Sequence, residues 1–209
     1  MTWDSLIELP EFIVRRRGRF LVTEVTAPAL VMSTSIQNGG QCDRVRYLLN
    51  HQSCEGAGHE LNRLISEIGH NEYHHRVCQE AGLDPDMTAM MGTAANMNYA
   101  AVATETDLAL SVTAVVTGGV ESNATCAGDP ARWRETGSGI ERVAEYAGTI
   151  NTMLLINQPL TRAALARAVM TMTEGKSAAL QRLAVPSRQS SDLATGTGTD
   201  QYCIATPAS

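Results

Sequence analysis

The chain has 209 residues, of which 44% are hydrophobic and 18% charged, and its formal net charge is −6 at pH 7. This composition predicts a folded globular protein rather than a disordered one, and the length suits a single domain, residues 1–209. The negative charge argues against nucleic acid or an anionic membrane surface as a partner.

Two further features favour a cytoplasmic protein. The longest apolar segments are far shorter than the roughly 20 residues that a membrane-spanning helix needs, and the start of the sequence lacks the pattern of a secretory signal. The five cysteines are an odd number, which fits reduced thiols better than a set of disulfides. We expect no membrane partner and, on base rates alone, a homodimer.

Periodicity and β-branched residues predict the order of the secondary structure elements. Strands are expected at residues 20–26, 29–35, 99–105, 108–117, 149–157 and 202–206. Helices are expected at residues 43–51, 60–68, 72–81 and 161–183. This order predicts an α+β (mixed α/β) fold, with one mixed, largely antiparallel sheet covered by helices.

The last predicted helix carries a lysine on its apolar face. Thr161 is the expected N-cap. One apolar stripe follows at helical spacing and consists of Leu165, Ala168, Val169, Met172, Ala179, Leu180 and Leu183. Lys176 lies within about 20° of Leu165 around the helix axis, whereas Glu174 points the opposite way.

A lysine in this position has two structural solutions. Lys176 either extends its ammonium group to solvent at the edge of the stripe or meets an acid such as Asp200 or Asp129. Gly175 lowers the helix propensity by about 1 kcal/mol relative to alanine. It therefore suggests close approach by another segment or by a ligand.

Near its end the chain contains the segment "ATGTGTD", which has almost no apolar surface to bury. After Ala194 it consists of Thr195, Gly196, Thr197, Gly198, Thr199 and Asp200. A phosphate-binding loop is excluded because a strand-like segment, not a helix, follows. The segment suits hydrogen bonding to an amide-rich or hydroxylated ligand, unless it is a plain surface turn. A second glycine turn, Asn38-Gly39-Gly40, could likewise present donors to an oxyanion or merely reverse the chain.

A metal site is the alternative from another class. His70, His74 and Cys78 recur at i, i+4 and i+8, so a helix would align them, and His51, Cys54 and His59 lie upstream. This region, residues 51–78, could form a structural zinc module or a zinc hydrolase. The sequence has no Cys-x-x-Cys pair to support it, so we expect no protein-bound metal.

Several blocks in a fixed order resemble the adenosylcobinamide amidohydrolase family. They are "GRFLVTEVTAPALVMSTSIQNGG", "YLLN", "MTAMMGTAANM", "VTAVVTGGVESNATCAGD", "GTINTMLLINQPLT", "TEGKSAALQRL" and "ATGTGTDQYCIA". The resemblance implies hydrolysis of the amide that joins the corrin ring's side chain to aminopropanol, which yields adenosylcobyric acid and 1-amino-2-propanol. It implies a corrinoid substrate that brings its own cobalt and no other cofactor. A corrinoid-binding protein without catalysis is a further alternative.

The resemblance also nominates site residues. Asp200 or Glu174 would act as base, Lys176 would polarise or orient the substrate, and Asn38 with the backbone of Gly39 and Gly40 would hold the oxyanion. Thr197 or Thr199 as nucleophile stays open. The substrate-binding candidates are Gly39, Gly40, Thr93, Asn123, Asp129, Asn151, Thr195, Gly196, Thr197 and Gly198. The chain departs from the family pattern at Asn38, where glycine is usual, and at Gly175, where alanine is usual.

Overall fold

The computed structural model describes residues 2–54, 60–131, 133–136, 139–142 and 148–208. In chain order the strands are β1 (Asp4–Glu8), β2 (Phe12–Arg17), β3 (Phe20–Val25), β4 (Ala29–Ser33), β5 (Gly40–Cys42), β6 (Tyr47–Gln52), β7 (Thr88–Thr93), β8 (Ala101–Asp107), β9 (Leu110–Gly118), β10 (Trp133–Thr136), β11 (Gly139–Arg142), β12 (Ile150–Ile156) and β13 (Gln201–Pro207). The α-helices are α1 (Glu60–Ala81) and α2 (Arg162–Arg182).

Two mixed sheets form most of the fold. Sheet A has the strand order β1-β2-β3-β6-β7, and sheet B has the order β5-β4-β13-β12-β9-β8. Each sheet is antiparallel except for one parallel pair of strands. This pair is β6–β7 at the edge of sheet A and β12–β13 in the centre of sheet B. Strands β10 and β11 pair with each other. The predicted α+β class and the largely antiparallel pairing are confirmed, but the strands form two main sheets rather than one.

The sheets face each other across a shared apolar core. Sheet A contributes Phe12, Val14, Leu21, Leu48, Ala89 and Met91, and sheet B contributes Val31, Val115, Met153, Leu155, Cys203 and Ala205. Burial of these side chains is the main favourable term that holds the sheets together, at about 25 cal/mol per Å² of apolar surface.

A helix covers the outer face of each sheet. Tyr73, Val77 and Ala81 of α1 pack on Phe20 and other residues of sheet A. α1 breaks at Gly69, where φ is 78° and ψ is 163°, and this break lies between the two predicted helices, residues 60–68 and 72–81. The fold is thus layered as helix, sheet, sheet and helix.

The C-terminal helix α2 covers sheet B largely as predicted. Leu165 is fully buried against Ile156 and Ile204. Thr161 caps the helix, because its hydroxyl accepts a hydrogen bond of 3.1 Å from the Ala164 N–H. Leu183, at the far end of the predicted stripe, is exposed. In the part of the chain that the structure describes, no helix is both long and apolar enough to cross a membrane.

The predicted helix at residues 43–51 is wrong, because residues 47–52 form β6. Leu48 points into the core between the sheets, whereas Leu49 packs beneath α1. A strand that is covered on both faces has no apolar–polar alternation, so its apolar run resembles a helix segment. The same double coverage explains why β7 was not predicted.

His51 in β6 is buried as a neutral side chain beneath α1. Its ring stacks on Phe20, with 5.1 Å between the ring centroids, and its Nδ1 lies 3.2 Å from the Tyr73 hydroxyl. Burial, and to a lesser extent the positive charge of Arg19, lowers the pKa of His51 from 6.5 to about 4. The unfolded chain therefore binds this proton more readily than the folded protein does.

This burial predicts a pH-dependent stability. As pH falls from 6.5 towards 4, the free energy of unfolding should decrease because the unfolded state takes up the His51 proton, by at most about 1.4 kcal/mol per pH unit. His51→Gln removes the titrating group and should flatten this slope in urea unfolding curves measured at several pH values. An unchanged slope in the variant would show that His51 does not contribute.

Candidate active site

Lys176 of α2 pairs with Asp200, which directly precedes β13. The Lys176 Nζ contacts Asp200 Oδ2, and the two side chains are only 21% and 17% exposed. Of the two alternatives left open for Lys176, the structure has the ion pair, and the acid is Asp200 rather than Asp129. Lys176 is also the only lysine in the sequence, beside 15 arginines. The pair joins helix α2 to the amino-terminal end of β13.

Asp200 is held by four donors. Its Oδ1 accepts from the Thr197 hydroxyl at 2.5 Å and from the Ile150 N–H at 3.1 Å. Its Oδ2 accepts from Lys176 and, more weakly, from the Thr197 N–H at 3.4 Å. An ionised carboxylate offers about four lone-pair positions. Those of Asp200 are therefore all in use, and the carboxylate is fixed between β12, α2 and the loop before β13.

Three threonines surround this carboxylate. The Thr197 Oγ1 lies 3.2 Å from the Thr199 Oγ1, and the Thr199 hydroxyl donates to the Gly148 carbonyl at 3.0 Å. The Thr149 hydroxyl donates to the Thr199 carbonyl at 2.7 Å. Thr197 is only 1% exposed, whereas Thr199 is half-buried. Of these two candidate nucleophiles, Thr199 is the more accessible residue.

Asn123 fixes the same stretch of backbone. Its side-chain amide donates to the Gly148 carbonyl, the group that the Thr199 hydroxyl also approaches. Among the described side chains, Asn123 Oδ1 is a buried polar atom that has no hydrogen-bond partner. Asn123 is therefore placed beside the site, where it orients the segment that precedes β12.

Asn151 connects the site to the core. Its amide donates to Asn50 Oδ1 at 2.8 Å and to the Gly92 carbonyl at 3.1 Å, and Asn50 in turn donates to the Thr117 hydroxyl. These amides are 1% exposed and join β6, β7, β9 and β12 across the two sheets. Asn50 was missed because it was assigned to a helix, although it ends the "YLLN" block.

Gln201 was also missed, and it closes the edge of β7. Its side chain accepts from the Gly92 N–H and donates to the Gly92 carbonyl, each at 3.3 Å, in the manner of a neighbouring strand. No sequence signal distinguished this glutamine from an exposed one. Thr93 follows in β7, and its hydroxyl accepts from the Ala95 N–H to shape the next turn.

Asp129 is connected to the loop that carries Asp200 through Thr125, whose backbone pairs with that loop. Its Oδ2 accepts from Ser187 at 2.6 Å, from the Cys126 N–H at 2.7 Å and from Thr125 at 3.0 Å. These hydrogen bonds, the one from Ser187 first, lower the pKa of Asp129 to about 2. Thr125 exchanges backbone hydrogen bonds with residues 195 and 196. Asp129 thus supports the glycine-threonine loop indirectly.

The Asn38 side chain is hydrogen-bonded to the backbone at the start of β7 and not to the ion pair. Both hydrogens of the Asn38 amide are donated, to the carbonyls of Pro85 and Thr88 at 2.9 Å each, so this side chain has none for an oxyanion. The side chains of Asn38 and Gln201 both hydrogen-bond to the backbone of β7, Asn38 at Thr88 and Gln201 at Gly92. These two positions are four residues apart, or about 13 Å on an extended strand. The oxyanion role expected for Asn38 is therefore not supported.

Glu174 and Gly175 also differ from expectation. Glu174 is exposed on the face of α2 opposite Lys176, so it does not share the site. A methyl group built on Gly175 would have no described atom within 4 Å, so the expected approach of another segment there is wrong. The close approach occurs at Gly196, where such a methyl would lie 2.3 Å from Asp200 Oδ2 and 2.9 Å from Lys176 Nζ.

The histidine-rich region does not assemble a metal site among the residues that the structure describes. No three His, Cys, Asp or Glu side chains there come close enough to hold an ion. His70 is exposed, whereas His74 and Cys78 are buried and His74 Nε2 lies 2.9 Å from the Pro85 carbonyl. His59 lies outside the described residues.

Two cavities lie away from the ion pair. One, of about 90 Å³, is lined by Phe12 and Leu155, and the other, of about 190 Å³, is lined by Trp3 and Tyr47. Neither is lined by any of the predicted site residues. The Lys176–Asp200 pair lies at the amino-terminal ends of the parallel strands β12 and β13.

The fold and site define an α+β protein with a half-buried lysine–aspartate pair and a set of hydroxyl groups at its strand ends. The family model of adenosylcobinamide amidohydrolase matches residues 4–209. The chain therefore belongs to the adenosylcobinamide amidohydrolase family. An uncharacterised protein of Methanocaldococcus jannaschii is 35% identical over 144 residues, which are 65% of this chain and 56% of that relative. The match thus spans little more than half of the relative's length.

The two glycines predict opposite mutational effects. Gly196→Ala should lower the free energy of unfolding by about 1–3 kcal/mol, because its methyl overlaps the ion pair. Gly175→Ala, in the open helix position, should raise it by about 1 kcal/mol. Urea unfolding of both variants tests these two predictions. A change of the same sign in the two free energies of unfolding would contradict the described packing.

Proposed function

We propose that the protein hydrolyses the amide bond of adenosylcobinamide, which releases 1-amino-2-propanol and forms adenosylcobyric acid. The observation that carries this proposal is the half-buried Lys176–Asp200 pair beside a hydroxyl-rich loop, in a chain that belongs to the amidohydrolase family. Amide hydrolysis needs a donor aimed at the developing oxyanion and a means of moving protons. The site contains both kinds of group.

Lys176 is the proposed donor to the oxyanion. A lysine ammonium has three N–H groups, and Asp200 takes one of them. The remaining two can hydrogen-bond the carbonyl oxygen of a bound amide as negative charge develops on it. Because the ammonium is held in place by Asp200 before substrate arrives, little reorganisation is needed in the transition state.

Asp200 acts on the reaction through its neighbours. Its lone pairs are taken by Lys176, Thr197 and the Ile150 N–H, so it has no position left for a direct contact with water. It therefore holds Lys176 and Thr197 in position. Glu174 is not proposed as a base, because it points away from the pair.

The position of the partly exposed ion pair at the ends of the strands suits a substrate whose reactive group projects from a large ring. The cavities of about 90 and 190 Å³ are too small for a corrin macrocycle, and they lie elsewhere. We propose that the ring lies across the strand ends and that only its aminopropanol-bearing side chain enters towards Lys176. The neutral hydroxyl of Thr195 suits hydrogen bonding to the peripheral amides of such a ring. The cobalt belongs to the substrate.

Turnover of adenosylcobinamide by purified protein tests the function, with adenosylcobyric acid detected by mass spectrometry. Lys176→Met should lower turnover by about 10²–10³-fold, because one oxyanion donor is lost. Arg167→Met removes a positive charge from an exposed position of the same helix and should leave turnover within about twofold.

Two results would contradict the proposal. Tight binding of adenosylcobinamide without any product would identify a binding protein instead of an enzyme. Wild-type turnover in a folded Lys176→Met variant would remove Lys176 from the mechanism.

A further inference from the structure

The hydroxyls of Thr199 and Thr197 form a line that ends on a carboxylate. Thr199 Oγ1 lies 3.2 Å from Thr197 Oγ1, and the Thr197 hydroxyl donates to Asp200 Oδ1 at 2.5 Å. Because the Thr197 hydrogen points to Asp200, the Thr197 oxygen is an acceptor on its other side. The single Thr199 hydrogen can go to the Gly148 carbonyl at 3.0 Å or, after rotation of the hydroxyl, to the Thr197 oxygen at 3.2 Å. In the second arrangement the line runs from Thr199 through Thr197 to Asp200.

Exposure separates the roles of the two threonines. Thr197 is 1% exposed and touches both oxygens of Asp200, so it is enclosed by the loop. Thr199 is half-buried, and its backbone carbonyl is held by the Thr149 hydroxyl. Its hydroxyl donates to the Gly148 carbonyl at 3.0 Å, and this carbonyl also accepts from the Asn123 amide. Thr199 is thus a fixed hydroxyl that a ligand can contact.

We propose that Thr199 is the nucleophile of the reaction and forms a covalent acyl-enzyme intermediate; this inference rests on the proposed amide hydrolysis. Hydroxyl nucleophiles are activated when an adjacent group removes their proton. Here the base is Asp200, and Thr197 connects it to Thr199. Because Thr197 connects the two residues, Asp200 can act as the base although none of its lone pairs is free to contact the substrate or a water molecule.

Thr199 Oγ1 forms a bond to the amide carbon, its proton moves to Thr197, and the Thr197 proton moves to Asp200 Oδ1. Lys176 hydrogen-bonds the resulting oxyanion. When the carbon–nitrogen bond breaks, Lys176 donates a proton to the nitrogen, which leaves as 1-amino-2-propanol. The protonated Asp200 then returns its proton to Lys176. Water then attacks the Thr199 ester, which releases the carboxylic acid and restores the hydroxyl.

Thr197 is a positioning residue in this scheme, since it passes the proton without touching the substrate. Loss of its hydroxyl should slow acylation but leave the number of acylated sites and the affinity for substrate unchanged. A merely structural role would instead lower the fraction of competent sites or weaken binding. Thr197→Ser keeps the hydroxyl and should restore the acylation rate to within about tenfold of the wild type.

The decisive experiment uses an aryl ester of adenosylcobyric acid in place of the amide. Its good leaving group makes acylation faster than deacylation, so a burst of one phenol per site should precede steady turnover. Acid quenching and intact-protein mass spectrometry should then find the acyl adduct, and peptide mapping should place it on residue 199. In single-turnover reactions with enzyme in excess, Thr197→Val should lower the rate of phenol release by about 10²–10³-fold without changing the total phenol released.

Variants at position 199 complete the test. Thr199→Ala should give no burst and no adduct, and its amide turnover should fall at least 10³-fold. Thr199→Ser should keep the adduct, and Thr106→Ala, on the exposed edge strand β8, should behave as wild type. Ester turnover without burst or adduct, or Thr199→Ala within tenfold of wild type on the amide, would overturn this inference and leave the proposed function standing. No product from either substrate would overturn the proposed function itself.

Discussion

The ion pair between Lys176 and Asp200 is the constraint on which the site depends. Both charges are mostly removed from solvent, so each needs the other to offset its desolvation. The pair ties helix α2 to the loop before β13, and the Ile150 N–H ties the same carboxylate to β12. One interaction therefore sets the relative positions of a helix, a glycine-threonine loop and the central parallel strands of sheet B.

Buried amides extend this constraint between the sheets. β7 is an edge strand, and an unpaired edge would leave backbone groups without partners. The side chains of Asn38 and Gln201 bond this edge near its two ends, and Asn151 bonds it from sheet B. Because buried amides are costly unless they are hydrogen-bonded, this network favours one register of the sheets and so one geometry of the site.

Sequence patterns predicted the helices and strands that have one apolar and one polar face. Lys176 could be assigned a buried partner because α2 has a clear apolar stripe, whereas β6 and β7 are covered on both faces and lack such a pattern. The acid that meets Lys176 was narrowed to two candidates, since only the fold determines which loop lies beneath the helix. Asn50, Thr149 and Gln201 were missed because their partners are distant in sequence.

The central claim is that Lys176 meets the amide carbonyl of the substrate. Because the chain has one lysine, protein labelled with ¹⁵N-lysine gives a single side-chain ammonium signal by NMR. Titration with adenosylcobinamide should shift this signal in proportion to the fraction of sites occupied, which an independent binding measurement supplies. A signal that stays unchanged while the protein is saturated with adenosylcobinamide would contradict the account.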